Sequence, residues 1–567
     1  MLLKKFIFCS SFLFLSLIVA YIIFFPLFTS QEVIITYGFH PFDICSKNPE
    51  LWKYLKIIYI FTYVFSNLII SNSIFKIIIK LLNYNSKIKI TNNLDIDNTS
   101  SLSLLIGFDK DTNSNIYIPE TGLFQNFLVT GTIGSGKTSS VMYPFTRQFL
   151  EYNSKNPNNK IGMLILDVKG NYYQQVTNYC HKYKLNSDLI VLKLKSNIFY
   201  NPLHKPNLKP QVLANRLKTI LTLFSENNTE SYWLDKAEQI LSECIKLCRL
   251  YNNGYVTFLE IHKLITMPDY YKQKINLLKE LFISGNFTQS EIYELNSCLD
   301  FFQKEFYNLD SRTKAILVSE ITRITNVFVS DYDIATTFCP PKNHLTFTGF
   351  KEIIQEGKIV VLNINISEYS MLSKIIAAYL KLDFQNEVMV NLSNNTPKNS
   401  VFICDEYDKY VTKTDSEFFS MSREAKCINI VSTQSYSSLK NTLKDETYVK
   451  VITQNLINKI WFRTDDIFTI EEAQKQLGKE EKERISKSIS ESAKETKYSY
   501  ITNTLNSENS NISETYSTYT QTDYIYDTNF FTRNLETFTA LTFLSDGTSI
   551  YQPMKLEMFP YFKHGED

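Results

Sequence analysis

The stretch Phe127-Leu-Val-Thr-Gly131-Thr-Ile-Gly134-Ser-Gly136-Lys137-Thr138 limits what this chain can be more than any other. Four mostly apolar residues run as a strand into Gly-x-x-x-x-Gly-Lys-Thr, and Ser139 to Leu150 can continue as a helix. Strand, loop and helix in that order are the context a phosphate-binding loop requires. The candidate nucleotide-binding set is therefore Gly131, Thr132, Ile133, Gly134, Ser135, Gly136, Lys137, Thr138 and Ser139. The glycines let backbone N–H groups curl around the β- and γ-phosphates of ATP, and the helix N-terminus adds partial positive charge. Lys137 supplies a mobile ammonium to the phosphates, and Thr138 a hydroxyl to Mg²⁺.

A chain of 567 residues exceeds one hydrophobic core, so two or more domains are expected. The 44% hydrophobic share, with 36 Tyr and 41 Phe, can fill them. A net charge of +1 argues neither for nor against a polyanionic partner, since any basic patch must be local. The nine cysteines form no Cys-x-x-Cys pair. Cys244 and Cys248 sit four apart in a helical pattern, but nothing nearby completes a metal site, so they read as buried thiols.

Phe6 to Phe28 is a charge-free, mostly apolar run preceded by Lys4 and Lys5, long enough to cross a bilayer. No small-residue cleavage site follows, which favours a retained anchor. A second charge-free segment runs from Ile57 to about Phe75, with Lys76, Lys80, Lys87 and Lys89 beyond it. By the positive-inside tendency the N-terminus and everything after residue 76 face the cytoplasm. The expectation is a multi-pass protein of the inner or plasma membrane, with helices at about 6–28 and 57–75.

After a polar linker, short strands are expected at Leu102–Phe108 and Ile116–Ile118, then at Ile161–Asp167 and Asp188–Lys193. From about 206 to 345 helical periodicity dominates, for example at Val212–Phe224 and Tyr232–Tyr251. Strand runs return at Gly357–Ile364, Ser400–Asp405, Cys427–Gln434 and Ile460–Arg463. Strands alternating with helices imply an α/β fold with a mainly parallel sheet. The Ser/Thr/Asn-rich segment near 481–530 fits either a flexible loop or a long polar helix. Phe538 to Tyr551 reads as a hairpin turning at Asp546-Gly547.

A second nucleotide element is Val401-Phe-Ile-Cys-Asp405-Glu406. Asp405 at the end of a buried strand can hold the Mg²⁺ shell, and Glu406 can polarise a water toward the γ-phosphate. Gln434, ending the next strand, has the donor and acceptor to sense that phosphate. Arg423 and Arg463 could each reach a neighbouring subunit's nucleotide; a solvated or ion-paired arginine is the alternative for both.

Several further strings, in order, resemble the conjugative coupling ATPases of type IV secretion systems, of the TraG/TraD kind. Leu166-Asp-Val-Lys-Gly170 is similar to that family's Asp-Pro-Lys-Gly element, with Val168 in place of Pro. Asn201-Pro-Leu203 resembles its Asn-Pro-Leu signature, and Trp233 and Ala237 resemble a Trp/Ala helix. Ser422-Arg-Glu-Ala-Lys426 through Ser432-Thr-Gln-Ser435, then Asn455 to Arg463 with Leu477-Gly478, are similar to its later blocks.

The resemblance implies a membrane anchor over 1–89 and a RecA-like P-loop NTPase domain split between 90–205 and 346–480. An inserted all-α domain over 206–345 separates the two parts, and a polar segment over 481–530 and a hairpin with tail over 531–567 follow. It implies a hexameric ring that moves single-stranded DNA bound to a relaxase, or protein cargo, toward a secretion channel. Two readings compete. One is a double-stranded DNA translocase of the FtsK kind, which usually carries a winged-helix tail not visible after residue 530. The other is a recruitment receptor whose ATPase is secondary. A transporter ATPase is disfavoured, since no Leu-Ser-Gly-Gly-Gln precedes Asp405.

Overall fold

The computed structural model describes residues 102–562 apart from 168, 225–230, 284, 286, 366, 394–396, 493–496, 500–503 and 507–510. In the first hundred residues it describes 10–18, 50, 54, 57, 58, 61–71, 73 and 74. The chain divides into two compact units, 1–100 and 101–567. In the first, 10–18 and 61–71 are helical, and the Tyr63 hydroxyl donates to Ser16 Oγ at 3.2 Å. Among the described residues no helix is long and apolar enough to cross a membrane. Much of the expected 6–28 span, and part of the 57–75 span, lies outside the described residues.

The second unit is built on eleven strands. They are β1 (Ser103–Asp109), β2 (Ser114–Pro119), β3 (Phe127–Thr130), β4 (Gly162–Leu166), β5 (Leu189–Lys193), β6 (Ile359–Asn363), β7 (Ser400–Cys404), β8 (Cys427–Thr433) and β9 (Asn458–Trp461). After β10 (Lys479–Ser492), β11 (Lys497–Ser499), β12 (Thr504–Asn506) and β13 (Asn511–Tyr524), the sheet is completed by β14 (Thr539–Phe543) and β15 (Met554–Glu557). The order is β2-β1-β15-β14-β9-β3-β8-β7-β4-β6-β5. Strands β9 through β5 in that order pair parallel, and β14 joins β9 antiparallel. Parallel strands covered on both faces need continuous apolar runs, and β3, β4, β7 and β8 are buried at every position.

Alternation along these strands sends neighbouring side chains to opposite faces. Phe127, Val129, Met163, Ile165 and Ile403 pack on one side with α1 (Tyr143–Lys155). Leu128, Leu164, Leu166, Phe402 and Cys404 pack on the other. There the core continues into helices between β5 and β6: α2 (Pro210–Thr222), α3 (Ser231–Tyr251), α4 (Phe258–Thr266), α5 (Pro268–Ile283), α6 (Gln289–Asp300), α7 (Ser311–Val329) and α8 (Tyr332–Phe338). Asn201 stitches the entry to this block: its Nδ2 donates to the Val256 carbonyl at 2.8 Å, and its Oδ1 accepts from Leu203 N at 3.0 Å. Trp233 is partly buried and Ala237 fully buried in the same core, and Cys244 and Cys248 are buried free thiols.

One long buried helix, α9 (Ser370–Leu392), carries two internal charge clusters. Asp383 meets Lys205 at 2.6 Å and Arg216 at 3.0 Å. Two residues earlier, Lys381 meets Asp415 at 2.6 Å, with both side chains wholly shielded from solvent. Asp415 also accepts from Gln385 Nε2, the Tyr407 hydroxyl and Thr412 N. Removing one member of such a pair leaves a charge without solvent or countercharge, although Lys381 would keep its bonds to the Tyr410 carbonyl and Thr412 Oγ1. Asp415→Ala is therefore expected to destabilise the fold by about 3–5 kcal/mol, read as an earlier midpoint in urea denaturation.

Two elements differ from expectation. The segment near 481–530 is neither loop nor helix along most of its length: β10 and β13, each of 14 residues, form an antiparallel ribbon with Lys479 opposite Tyr524 and Lys487 opposite Tyr516. Ile485, Ile489 and Tyr516 are exposed on it. The hairpin expected at 538–551 is present but longer, its second strand being Met554–Glu557 and its connection holding the Asp546-Gly547 turn and an isolated Ser545–Ile550 bridge. The ladder partner of β14 is β15, which carries the pairing on to β1.

Candidate nucleotide site

Because β3, β8, β7 and β4 run parallel and in register, their C-terminal ends share one edge of the sheet. That edge is where open α/β sheets bind ligands. The loop leaving β3 curls with Gly134 at φ +78° and Gly136 at φ +105°, conformations glycine adopts without a Cβ penalty. The Arg463 carbonyl braces it, accepting from Thr132 N at 2.9 Å and Thr132 Oγ1 at 3.2 Å. Thr138–Met142 then makes a π turn before α1. Pro144 has no N–H to bond the Ser140 carbonyl, so the ladder widens ahead of it.

A cavity of about 360 Å³ opens at this edge. It is lined by Thr132, Ile133, Gly134, Gly136, Lys137, Thr138 and Ser139 from the loop, and by Asp405, Glu406 and Gln434 from the neighbouring strand ends. Gly131 and Ser135 sit beneath the loop: a Cβ at Gly131 would meet Phe462 and Ser135 Oγ, and Ser135 Oγ donates to the Thr132 carbonyl at 2.8 Å. The Lys137 ammonium donates to the Gly131 and Thr132 carbonyls. Burial lowers its pKa, with the Asp405 carboxylate pulling the other way and Lys169 adding to the fall.

Thr138 Oγ1 donates to Asp405 Oδ2 at 2.7 Å. Ser432 Oγ and Glu406 N both donate to the other Asp405 oxygen. A hydroxyl and a carboxylate held together, facing a phosphate cradle, are hard oxygen donors suited to Mg²⁺ with retained waters. Glu406 occupies the left-handed region at φ +52°, which a side chain adopts at a cost. From that turn its carboxylate meets the Lys169 ammonium at 2.9 Å.

Lys169 had no assigned role. It follows β4, the strand beside β7, so the sheet order sets it opposite Glu406. The Asp-Val-Lys-Gly string at a strand end was the available signal. Burial would lower its pKa, but the Glu406 hydrogen bond and charge raise it overall. Asp167, two residues earlier, accepts from the backbone N–H groups of Lys169, Asn171 and Tyr172. Burial and the Asp405 charge raise its pKa. Tyr143, Phe538 and Tyr561 also line the cavity, with no signal in the sequence. Arg423 and Arg463 have exposed side chains that do not line it.

The loop, the carboxylate beside it and the strand order define a P-loop nucleotide-binding fold on a mostly parallel sheet. Residues 399–523 match the family model described as the TraM recognition site of TraD and TraG. Among solved structures, the conjugative coupling protein TrwB in its unbound monoclinic form is similar at 13% identity and TM-score 0.52, over 80% of this chain and 88% of that one. Its trigonal form with sulphate gives 13% and 0.51, over 81% and 94%. The TrwB complex with the GTP analogue GDPNP gives 12% and 0.50, over 78% and 87%. No curated protein sequence matches. The chain thus has the fold of a conjugative coupling protein and, over 399–523, a segment similar to the TraM recognition site of TraD and TraG. The resemblance read from its ordered motifs is borne out.

Proposed function

We propose that this protein is a membrane-anchored ATPase that uses hydrolysis to recruit DNA, or protein cargo, and drive it into a type IV secretion channel. The observation that carries the reading is the 2.7 Å contact between Thr138 and Asp405, with Lys137 and Glu406 lining the same cavity. In it the loop N–H groups and Lys137 hold the polyphosphate, and Thr138 and Asp405 hold Mg²⁺. Mg²⁺ when bound neutralises charge developing on the transferred phosphoryl group. Glu406, once released from Lys169, orients and polarises the attacking water. Gln434 reads the γ-phosphate from the end of β8, the strand between the phosphate loop and Asp405.

The exposed side chains of Arg423 and Arg463 are available to a second copy, which would make turnover depend on ring assembly. The TraM-recognition description of residues 399–523 and the role of TrwB in conjugation favour this reading over a chromosome translocase. The ring is hexameric, the DNA is a relaxase-bound single strand, and the N-terminal spans hold the motor on the cytoplasmic side of the membrane.

Contacts to DNA in a sequence-indifferent motor go mainly to phosphate and release counterions. ATP turnover by the full chain should therefore rise with single-stranded DNA and lose that stimulation as salt increases. Turnover indifferent to DNA at every salt concentration would refute the pump.

A further inference from the structure

Under the nucleotide reading, Lys137, Asp405 and Glu406 take the γ-phosphate end of the ligand. The polyphosphate then runs along the loop toward Ser139, beyond which sugar and base must leave it. Two distant parts of the chain are fastened onto the loop at that end. Phe538 N donates to the Ser135 carbonyl at 3.1 Å, and Tyr561 N donates to the Ser139 carbonyl at 2.9 Å. Met558 N in turn donates to the Phe538 carbonyl at 2.8 Å, so the two fastenings brace each other.

Both bring an aromatic ring to the cavity wall. The Phe538 ring lies over Gly136, where an added Cβ would come within 2.6 Å of Phe538 Cδ1. The Tyr561 ring meets Tyr143 edge-on at 5.2 Å, and Phe562 stands edge-on to Phe538 at 5.7 Å. None of these rings is closed off in the core; Phe562 is 54% exposed. Phe538 also sits at φ +65°, a backbone region that bulky residues avoid unless their surroundings enforce it. A strained aromatic held on a phosphate loop, beside a second ring from the chain's last residues, is suited to a flat apolar ligand face.

We propose that Phe538 and Tyr561, backed by Phe562, form a platform that stacks the base of the bound nucleoside triphosphate. This rests on the cavity being the nucleotide site. Stacking uses the π-face that every base has, so the platform separates nucleotides from bare polyphosphate and treats adenine and guanine alike.

The test is calorimetric binding of Mg-ATP, Mg-GTP and inorganic triphosphate to the full chain and to Tyr561→Ala and Phe538→Leu. Tyr561→Ala keeps the backbone N–H on Ser139 and removes only a half-buried ring. Wild type should bind ATP and GTP similarly and triphosphate more weakly. Each variant should lose about 5- to 50-fold for both nucleotides, with triphosphate affinity unchanged. Equal losses for triphosphate would mean that the rings merely shape the loop, and unchanged nucleotide affinity in both variants would also overturn the platform. Wild type binding triphosphate as tightly as ATP would end this inference and leave the nucleotide site standing. Wild type binding neither would refute the site itself.

Discussion

A Lys137→Ala protein is expected to lose ATP turnover by about 10²–10³-fold and to bind ATP too weakly for saturation at ordinary concentrations. The reason is positional. Lys137 lines the cavity on a loop clamped between Arg463 and α1, and its ammonium, held on the Gly131 and Thr132 carbonyls, has only to turn from them to the phosphates. Its pKa is lowered by burial, yet the Asp405 carboxylate sits in the opposing direction and a triphosphate would add more negative charge. Alanine leaves the loop's N–H cradle with no mobile cation from the loop itself. Phosphate release and calorimetry measure the two losses. A transfer assay then decides between the competing roles. A variant that no longer hydrolyses ATP but still supports transfer would make the protein a recruitment receptor, not a motor.

Glu406→Gln should separate binding from chemistry. The amide keeps the side chain's size and can still accept from Lys169, so the turn after β7 and ATP affinity should be retained. It cannot serve as a carboxylate toward water, and single-turnover hydrolysis should fall by about 10²-fold or more. Unchanged hydrolysis would strip Glu406 of this role and point to another water-orienting group, with Gln434 a candidate on the same cavity wall.

Lys137, Thr138, Asp405 and Glu406 were legible because each sits in a short string whose local structure follows from the string. The buried runs of β3, β4, β6, β7 and β8 were legible for the same reason, since strands covered on both faces are mostly apolar. Lys169 and Ser432 were not assigned roles, because their function comes from strand order, which no local window contains. The β10–β13 ribbon escaped notice because its described side chains are mostly exposed on both faces, leaving no apolar alternation to read. Its Thr, Tyr and Ile content was the remaining clue. The hairpin after Phe538 was legible from its Asp-Gly turn, but its second strand lies beyond Tyr551, at β15, and β14 also pairs with β9, which no local window shows.

The position of β3 in the sheet bears on how the protein is made. It ends at Thr130, while its two flanking strands start at Cys427 and Asn458. During translation roughly 300 residues separate synthesis of the phosphate loop from its first lateral partner, about 15–60 s at about 5–20 residues per second. Throughout that interval the nascent Phe127-Leu-Val-Thr segment lacks both hydrogen-bonding neighbours, and a ribosome stalled before residue 427 would present it as an open edge to any other chain nearby.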